Sequence, residues 1–569
     1  MTASSPPTSL PASSTVLRGV PVVPGVQYAP VIRPGRPPAV ETGNGAEVAE
    51  ADRPAEAARF TAAATAVANR LRDRAAHASG AASEVLAATA ALAQDRAWLG
   101  AAEKRIKDGT PAVAAVAGAV EQFVDMFTKM GGLMAERVTD LRDIRDRVVA
   151  ELSGLPEPGV PVPELPSVLC AEDLAPADTA GLDPELVVAL ATTLGGPTSH
   201  TAIIARQLGI PCVVAVAGLD DVEAGSMVLV DGTLGTVTVS PDHTAAGEAV
   251  AAAQRQAQRA AQWSGPGVTA DGHAVAVLAN VQDGAAARAA SETAAEGVGL
   301  FRTELCFLNR DTEPTVDEQA GIYAEVLQAF SGRKVVIRTL DAGSDKPLKF
   351  AGHPGDTPEA NPALGVRGVR IADRNPGLLD RQLDAIAAAG ERTGNQPWVM
   401  APMIATAQEA ESFAAKAHSR GLTAGVMIEV PAAALLADRI LEHVDFLSIG
   451  TNDLAQYTMA ADRMSAELAT LTDPWQPAVL ALVAMTVRAG LTAGKPVGVC
   501  GEAAADPLLA CVLTGIGVTS LSAAAAAIQG VGAKLAQATL QQCREAAAAV
   551  LASATATDAR AAALAAIGN

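Results

Sequence analysis

Eight short apolar runs recur along the second half of the chain, and a longer stretch with helical character follows each of them. Runs that are apolar throughout are typical of strands buried on both faces of a parallel sheet. Eight such strands alternating with helices predict a TIM-type (β/α)₈ barrel. In chain order the runs are AVAVLANV, GVGLFR, KVVIRTL, WVMAPMI, AGVMIEV, DFLSIG, PVGVCG and VTSLS.

The first half of the chain shows two other patterns. A β-like start, LRGVPVVPGVQYAPVIR, precedes an Ala-, Glu- and Arg-rich stretch over 47–152, which predicts a helical bundle. After the Pro-rich SGLPEPGVPVPELPS, short runs such as VVALAT and CVVAVAG alternate with helical stretches and predict a small α/β domain. Turns within the bundle are expected at Gly80, Gly100, Gly109-Thr110-Pro111 and Gly131-Gly132.

These patterns together predict a multidomain α/β protein in which a helical bundle interrupts a small α/β domain. A breaker-free stretch over 248–262 predicts a helix that connects this part to the barrel. The expected segments are 1–44 for the first part of the α/β domain, 45–155 for the inserted bundle, 156–243 for the remainder of the α/β domain, 244–265 for the linker helix and 266–569 for the barrel.

Composition narrows the class of protein. With 569 residues, of which 49% are apolar and 18% charged, the chain is long enough for several folded domains. A net charge of -20 disfavours nucleic acid and anionic lipid as partners and favours a basic protein. The six cysteines show no CxxC spacing, and neither a secretory signal nor a membrane-spanning stretch is present. We therefore expect a cytoplasmic protein.

One histidine lies in a loop suited to phosphate. In GGPTSHTAIIARQLGIP, a Gly-Gly-Pro turn precedes a helix that is expected to begin near His200, with Thr198 or Ser199 as its N-cap. The unpaired N–H groups and the dipole of a helix N-terminus favour a phosphoryl group on the imidazole. The loop by itself also fits a plain turn with a polar cap at His200.

Polar or charged residues follow most of the predicted barrel strands, where TIM barrels carry their active sites. Each of these residues, taken alone, could belong to a structural ion pair at the end of a strand. Taken together, they are expected to meet at one mouth of the barrel. Two carboxylates there suit Mg²⁺, and several arginines suit a small phosphorylated acid. The carboxylates are Glu429 and Asp453, the arginines are Arg302, Arg338, Arg367 and Arg463, and the remaining residues are Asn452, Cys500 and Glu502.

Several strings resemble one known family. GGPTSHTAIIAR is similar to the phosphohistidine signature of the phosphoenolpyruvate-utilising enzymes, in which this histidine carries the phosphoryl group. Over the whole barrel, four further strings resemble the phosphoenolpyruvate-binding barrel of the same family. They are GVGLFRTELCFLNRD, VIRTLDAGSDKPL, NPALGVRGVRI and IGTNDLAQYTMAADR.

The resemblance implies a role for each matching residue. His200 is the phosphoryl carrier, and Cys500 is the acid that protonates the enolate to give pyruvate. A thiol suits this task when it stays protonated until a carbanion-like product forms, although a buried free cysteine is often only a small apolar side chain. Arg302, Arg338 and Arg367 contact the phosphoryl group, Lys346 lies nearby, Asn452 and Arg463 position the substrate, Asp453 also lies in the substrate site, and Glu429 and Asp453 bind Mg²⁺.

A helical bundle within the α/β domain resembles the Enzyme I branch of this family, and AERVTDLRDIRDRVVAEL is similar to its last bundle helix. The resemblance implies transfer of phosphate to the carrier protein HPr, as the first step of sugar uptake, and a homodimer formed through the barrel. Two alternatives stay open. A dikinase lacking its nucleotide-binding domain would label His200 from ATP, and a non-catalytic regulator would lack residues of the mouth.

Overall fold

The computed structural model describes residues 14–35, 47–77, 81–130, 137–155, 157–161, 163–174, 178, 182–196, 199–308, 310–343, 348–350, 359–463, 465 and 468–568. The chain divides into two compact units, 1–254 and 255–569. The finer division into five segments stays a prediction. No helix in the described ranges has both the length and the apolar character that a membrane span requires.

The first unit contains one sheet and one group of helices. Its strands are β1 (Thr15–Arg18), β2 (Val20–Val23), β3 (Val26–Ile32), β4 (Ser167–Ala171), β5 (Val187–Thr192), β6 (Cys212–Val214), β7 (Met227–Asp231) and β8 (Thr236–Val239). Its helices are α1 (Arg53–His77), α2 (Ala81–Leu92), α3 (Arg96–Lys107), α4 (Ala112–Met130), α5 (Val138–Ser153) and α6 (His200–Leu208), and α7 (His243–Gln262) leads into the second unit.

The eight strands form one mixed sheet in the order β1-β8-β7-β3-β4-β5-β6-β2. Its central strand pairs β3/β4, β4/β5 and β5/β6 are parallel, and the outer pairs are antiparallel. Alternate residues of β4 belong to different apolar clusters, with Val168 and Cys170 on one face and Leu169 and Ala171 on the other. The sheet is therefore covered on both faces, which explains why its runs look apolar throughout.

Helices α1 to α5 pack around a core of their own, in which the rings of Phe60 and Trp98 meet edge to face at 5.9 Å. The turn expected at Gly100 is wrong, because Gly100 lies inside α3. Asp95 caps α3 by accepting a bond from the Ala97 N–H at 2.8 Å, and buried side chains at a spacing of four residues continue the helix through the glycine. The turn at Gly109 is confirmed by its left-handed backbone, whereas Gly80, Gly131 and Gly132 lie outside the described residues.

The second unit has the strands β9 (Ala276–Val281), β10 (Gly297–Arg302), β11 (Lys334–Arg338), β12 (Trp398–Ala401), β13 (Thr423–Ile428), β14 (Phe446–Ile449), β15 (Val497–Val499) and β16 (Ser520–Ala523). Its helices are α8 (Gly284–Ser291), α9 (Val316–Ala329), α10 (Ile371–Arg374), α11 (Leu378–Thr393), α12 (Ala407–His418), α13 (Pro431–Leu435), α14 (Ala437–Ile440), α15 (Thr451–Met459), α16 (Pro477–Ala493), α17 (Pro507–Ile516), α18 (Ala525–Leu535), α19 (Leu540–Leu551) and α20 (Ala556–Ile567).

Strands β9 to β16 close into a parallel barrel, in which β16 pairs with β9. The predicted (β/α)₈ barrel and each of its eight strands are confirmed. The main core lies between the strands and the surrounding helices, and a second, smaller apolar cluster fills the inside of the barrel. Because all strands run in parallel, their carboxyl ends meet at one mouth.

Candidate active site

The predicted site residues of the barrel lie at the carboxyl ends of its strands. Arg302 and Arg338 end β10 and β11, and Glu429 follows β13 directly. Asp453 lies in the first turn of α15, just after β14, and Cys500 follows β15. This placement follows from the parallel strands, whose carboxyl ends meet at one mouth.

Arg338 is held between two carboxylates. It is buried, and its NH2 lies 2.7 Å from Glu304 Oε1 while its NH1 lies 3.1 Å from Asp341 Oδ2. Burial acts to lower the pKa of Arg338, but Asp341 and Glu304 outweigh it and hold this pKa above its ordinary value. The guanidinium therefore stays charged although it has little contact with water.

Arg367 shares one of these carboxylates. Its NH2 donates to both oxygens of Asp341 at 3.1 Å, and its NH1 lies 3.4 Å from Asp453 Oδ1 and from the Tyr457 hydroxyl. Asp341 therefore bridges two buried arginines, whose mutual repulsion it offsets. The two guanidinium groups are fixed side by side at the mouth.

Glu429 and Asp453 bring further negative charge to the same place. Glu429 is 1% exposed, and its Oε1 accepts a bond from the Met403 N–H at 2.7 Å. Burial and the neighbouring carboxylates Asp341 and Asp453 raise the pKa of Glu429 to about 8, against the lowering effect of a nearby arginine. A carboxylate in this environment is stabilised when it binds either a proton or a cation.

The donor set fits a magnesium ion. Four buried carboxylates, Glu304, Asp341, Glu429 and Asp453, face only two buried arginines. Glu304 Oε2 is buried and has no hydrogen-bond partner among the described residues. Mg²⁺ prefers such oxygens and typically uses one or two protein carboxylates together with water and substrate oxygens. The described residues contain no group of three or more His, Cys, Asp or Glu side chains that could hold a metal by themselves.

Asn452 and Arg463 lie at the edge of this cluster. Asn452 Oδ1 accepts a bond from the Glu502 N–H at 2.8 Å, which ties the loop after β14 to the loop after β15. The NH1 of Arg463 lies 3.7 Å from Asp453 Oδ2, and its guanidinium is partly open to solvent. Gly501 allows this close approach, since a Cβ there would lie 2.0 Å from Thr451 Oγ1.

Cys500 is a buried thiol with two polar neighbours. Its side chain is 3% exposed, Ser448 Oγ donates to its Sγ at 3.3 Å, and the Sγ donates to the Ile449 carbonyl at 3.6 Å. Burial raises the pKa of Cys500 above its ordinary value. The thiol is therefore protonated at neutral pH, as a general acid must be before it acts.

Two predicted residues do not join the buried cluster. Arg302 is exposed at the end of β10, and Lys346 lies outside the described residues. Conversely, sequence reasoning missed Glu304 and Asp341. Glu304 follows Arg302 by two positions in FRTEL, and Asp341 follows Arg338 by three positions in IRTLD. The signal that could have found them is an acidic residue close to an arginine at the end of a strand.

The histidine loop belongs to the first unit. Helix α6 begins at His200, and its N-cap is Ser199, whose Oγ accepts a bond from the Ala202 N–H at 3.3 Å. Gly195 has a φ of 93°, and a Cβ there would lie 3.2 Å from Ser199 Oγ, so a glycine fits this turn. The backbone of His200 thus lies at a helix N-terminus, where phosphate is favoured.

A shallow surface of the bundle presents acidic and apolar side chains together. It lies on α4 and includes Glu121, Asp125 and Met126, the last of which is 43% exposed, together with one lysine, Lys129. Glu121 lies 4.0 Å from Arg142 and 3.8 Å from Arg145, at distances typical of weak surface pairs. We call this set of residues on α4 the acidic face.

Comparison with known proteins gives matches along most of the chain. Residues 256–540 match the family model of the PEP-binding domain of PEP-utilising enzymes. Residues 18–137 match the model of the N-terminal part of these enzymes, and residues 163–235 match the model of their mobile domain. A phosphoenolpyruvate-protein phosphotransferase of Streptomyces coelicolor is 49% identical over 98% of this chain and 100% of its own length. One of Haloferax volcanii is 42% identical over 78% of this chain and 80% of its own. A multiphosphoryl transfer protein of Rhodobacter capsulatus is 43% identical over 75% of this chain and 53% of its own.

Proposed function

Because this chain belongs to the PEP-utilising enzymes, and among them to the family of the phosphoenolpyruvate-protein phosphotransferases, we propose that it moves the phosphoryl group of phosphoenolpyruvate through His200 to a histidine of HPr. It is a phosphotransferase, and pyruvate is its second product. This reaction is the first step of sugar uptake by the phosphotransferase system. The buried cluster of two arginines and four carboxylates beside a protonated thiol carries the proposal.

Phosphoenolpyruvate would bind at the mouth of the barrel. The paired guanidinium groups of Arg338 and Arg367 suit the phosphoryl oxygens, and Arg302 and Arg463 add positive charge at the rim. Asn452 and Lys346 would orient the substrate, a role that rests on their resemblance to the family. The two arginines are already engaged by carboxylates, so the carboxylates must be neutralised when the substrate enters.

Glu429 and Asp453 would hold the Mg²⁺ ion. When bound, the ion supplies positive charge that stabilises the oxygens of the transferring phosphoryl group. Burial and the neighbouring carboxylates raise the pKa of Glu429, so Glu429 and Asp453 would be less repelled by one another with a cation between them. Arg338 and Arg367 could then turn part of their hydrogen-bonding capacity to the substrate.

Transfer itself would use His200 and Cys500. A ring nitrogen of His200 attacks phosphorus, the P–N bond forms, and the bond from phosphorus to the enolpyruvate oxygen breaks. The enolate that leaves takes a proton from the Cys500 thiol onto its terminal carbon and becomes pyruvate. The N-terminus of α6 would stabilise the phosphoryl group on the imidazole.

HPr would dock on the bundle. The acidic face of α4 combines carboxylates with the exposed Met126, which suits a basic partner that also has apolar side chains. A net charge of -20 favours such a partner. We further propose a homodimer formed through the barrel and a cytoplasmic location, where phosphoenolpyruvate and HPr are both found.

The direct test is incubation with Mg²⁺ and phosphoenolpyruvate labelled in its phosphoryl group. The expected result is acid-labile label on the protein, lost in His200→Ala and in Glu429→Gln, and passed on when purified HPr is added. Labelling from ATP in place of phosphoenolpyruvate would show a dikinase instead. Label that persists in His200→Ala would overturn the assignment of His200.

A further inference from the structure

The thiol of Cys500 faces the inside of the barrel as well as its mouth. Cys500 belongs to the interior cluster that also contains Val336, Met427 and Phe446. The Ser448 hydroxyl, which lies in the same interior, donates to the Cys500 sulfur at 3.3 Å. The acid of the proposed reaction therefore has a hydroxyl neighbour on the side away from solvent.

A small cavity lies next to Ser448. Its volume is about 10 Å³, and its wall includes the hydroxyl residues Ser448, Ser520 and Ser522. Two glycines in the wall keep it open, because a Cβ at Gly498 would lie 2.4 Å from Ser520 Oγ and one at Gly299 would lie 2.5 Å from Ser522 Oγ. A cavity of about 10 Å³ with hydroxyl groups in its wall is at the lower limit of the size that holds one water molecule.

Lys334 lies in the wall of the same cavity and is the first residue of β11, at the amino end of the barrel. Its Nζ lies 3.8 Å from the centre of the Trp398 ring and 5.5 Å from that of Phe446. Burial lowers the pKa of Lys334 to about 8. Because the side chain is only partly buried, it can exchange protons with solvent at the end of the barrel opposite the mouth.

We propose that Cys500 regains its proton through the inside of the barrel, from Lys334 by way of a water in the cavity and the hydroxyl of Ser448. This inference rests on the proposed role of Cys500 as the acid. After the thiol has protonated the enolate, Ser448 gives its O–H proton to the thiolate and takes one from the water. The water takes one from the Lys334 ammonium, and the resulting amine is recharged by solvent.

The acidities of the two end groups favour this direction. Burial raises the pKa of the Cys500 thiol and lowers that of the Lys334 ammonium, so the ammonium is the stronger acid of the pair. Among the charged groups that act on Cys500, Arg338 and Arg302 favour the thiolate and Glu429 disfavours it. A route from within also leaves the mouth free for pyruvate to depart.

Burst kinetics separate the first turnover from later ones, since the first uses the proton already on Cys500. Pyruvate formation is followed by rapid quench in the full-length protein with Mg²⁺, phosphoenolpyruvate and excess HPr. We expect Lys334→Met to keep the first turnover within about twofold of the parent and to slow later turnovers about tenfold or more. Ser448→Ala should slow the later turnovers much more than the first, and Ser448→Thr should restore them because it keeps a hydroxyl.

Ser522→Ala is the matched control. Ser522 lines the same cavity, but its hydroxyl donates to the Ala279 carbonyl and to Asn280 Oδ1 and not to Cys500, so both phases should stay at the parent rate. Parent-like later turnovers in Lys334→Met would overturn the relay, and so would a Ser448→Ala protein with both phases intact. If Lys334→Met does not fold, the two Ser448 variants decide the question. Absence of phosphohistidine in the parent protein would instead refute the proposed function.

Discussion

Two buried arginine clusters, one in each unit, differ in how completely they are satisfied. In the first unit, fully buried Arg147 lies 2.8 Å from Asp143 Oδ2 and 2.6 Å from Asp178 Oδ1, and it also contacts Glu157. In the barrel, Arg338 and Arg367 share Asp341, whereas Glu429 accepts its hydrogen bond from the Met403 N–H and not from an arginine. In the first cluster Arg147 contacts all three carboxylates, whereas in the second Glu429 accepts its hydrogen bond from a backbone N–H.

The two glutamates show the consequence most clearly. Burial raises the pKa of each, but bonds to Arg147 and the charges of Arg74 and Arg70 bring that of Glu157 below its ordinary value. At Glu429, burial and two further carboxylates raise the pKa to about 8. Arg147, Arg74 and Arg70 thus supply positive charge to Glu157, whereas Glu429 is left for a ligand.

The largest effect on stability is expected from Arg147→Met. It would leave Asp143, Glu157 and Asp178 buried near one another without their central cation, which typically costs about 3–5 kcal/mol. Chemical unfolding of the first unit should show this loss. Arg142→Met, at an exposed pair 4.0 Å from Glu121, is the control and should change stability by less than about 0.5 kcal/mol. A similarly small loss in Arg147→Met would mean that the cluster does not stabilise the fold.

A smaller effect of the opposite sign is expected at the mouth. Without Mg²⁺, Glu429→Gln should leave the melting temperature unchanged or raise it, because it removes one of four crowded carboxylates. Saturating Mg²⁺ should stabilise the parent protein by about 1–3 kcal/mol and leave the variant almost unaffected. Differential scanning calorimetry measures both. Equal stabilisation of both proteins by Mg²⁺ would place the ion elsewhere.

The smallest effect concerns pH. Burial and Asp143 raise the pKa of Asp178 to about 6, so between its ordinary range and pH 6 the folded protein holds a proton that the unfolded chain has lost. The stability that Asp178 contributes is therefore fully present at low pH and is lost as the pH rises through 6. The free energy of unfolding of the parent, relative to that of Asp178→Asn, should fall between pH 4.5 and pH 7. A difference between the two proteins that stays constant over this range would contradict the raised pKa of Asp178.

The barrel could be predicted from sequence because strands buried on both faces leave uninterrupted apolar runs. Mouth residues could be placed because they follow those runs directly. The continuation of α3 through Gly100 could not be predicted, since a glycine alone does not reveal that neighbouring side chains continue the helix. Glu304, Asp341 and Ser448 were missed because their roles depend on contacts with distant or inward-facing residues, such as Ser448 with Cys500.

Binding of phosphoenolpyruvate to His200→Ala, which cannot accept phosphate, tests the central claim most directly. Isothermal titration calorimetry would compare binding with and without Mg²⁺. If the mouth is an unsatisfied cluster that needs a cation before its arginines can take an anion, phosphoenolpyruvate should bind with Mg²⁺ and at least about tenfold more weakly without it. Equal affinity in both conditions would contradict the account.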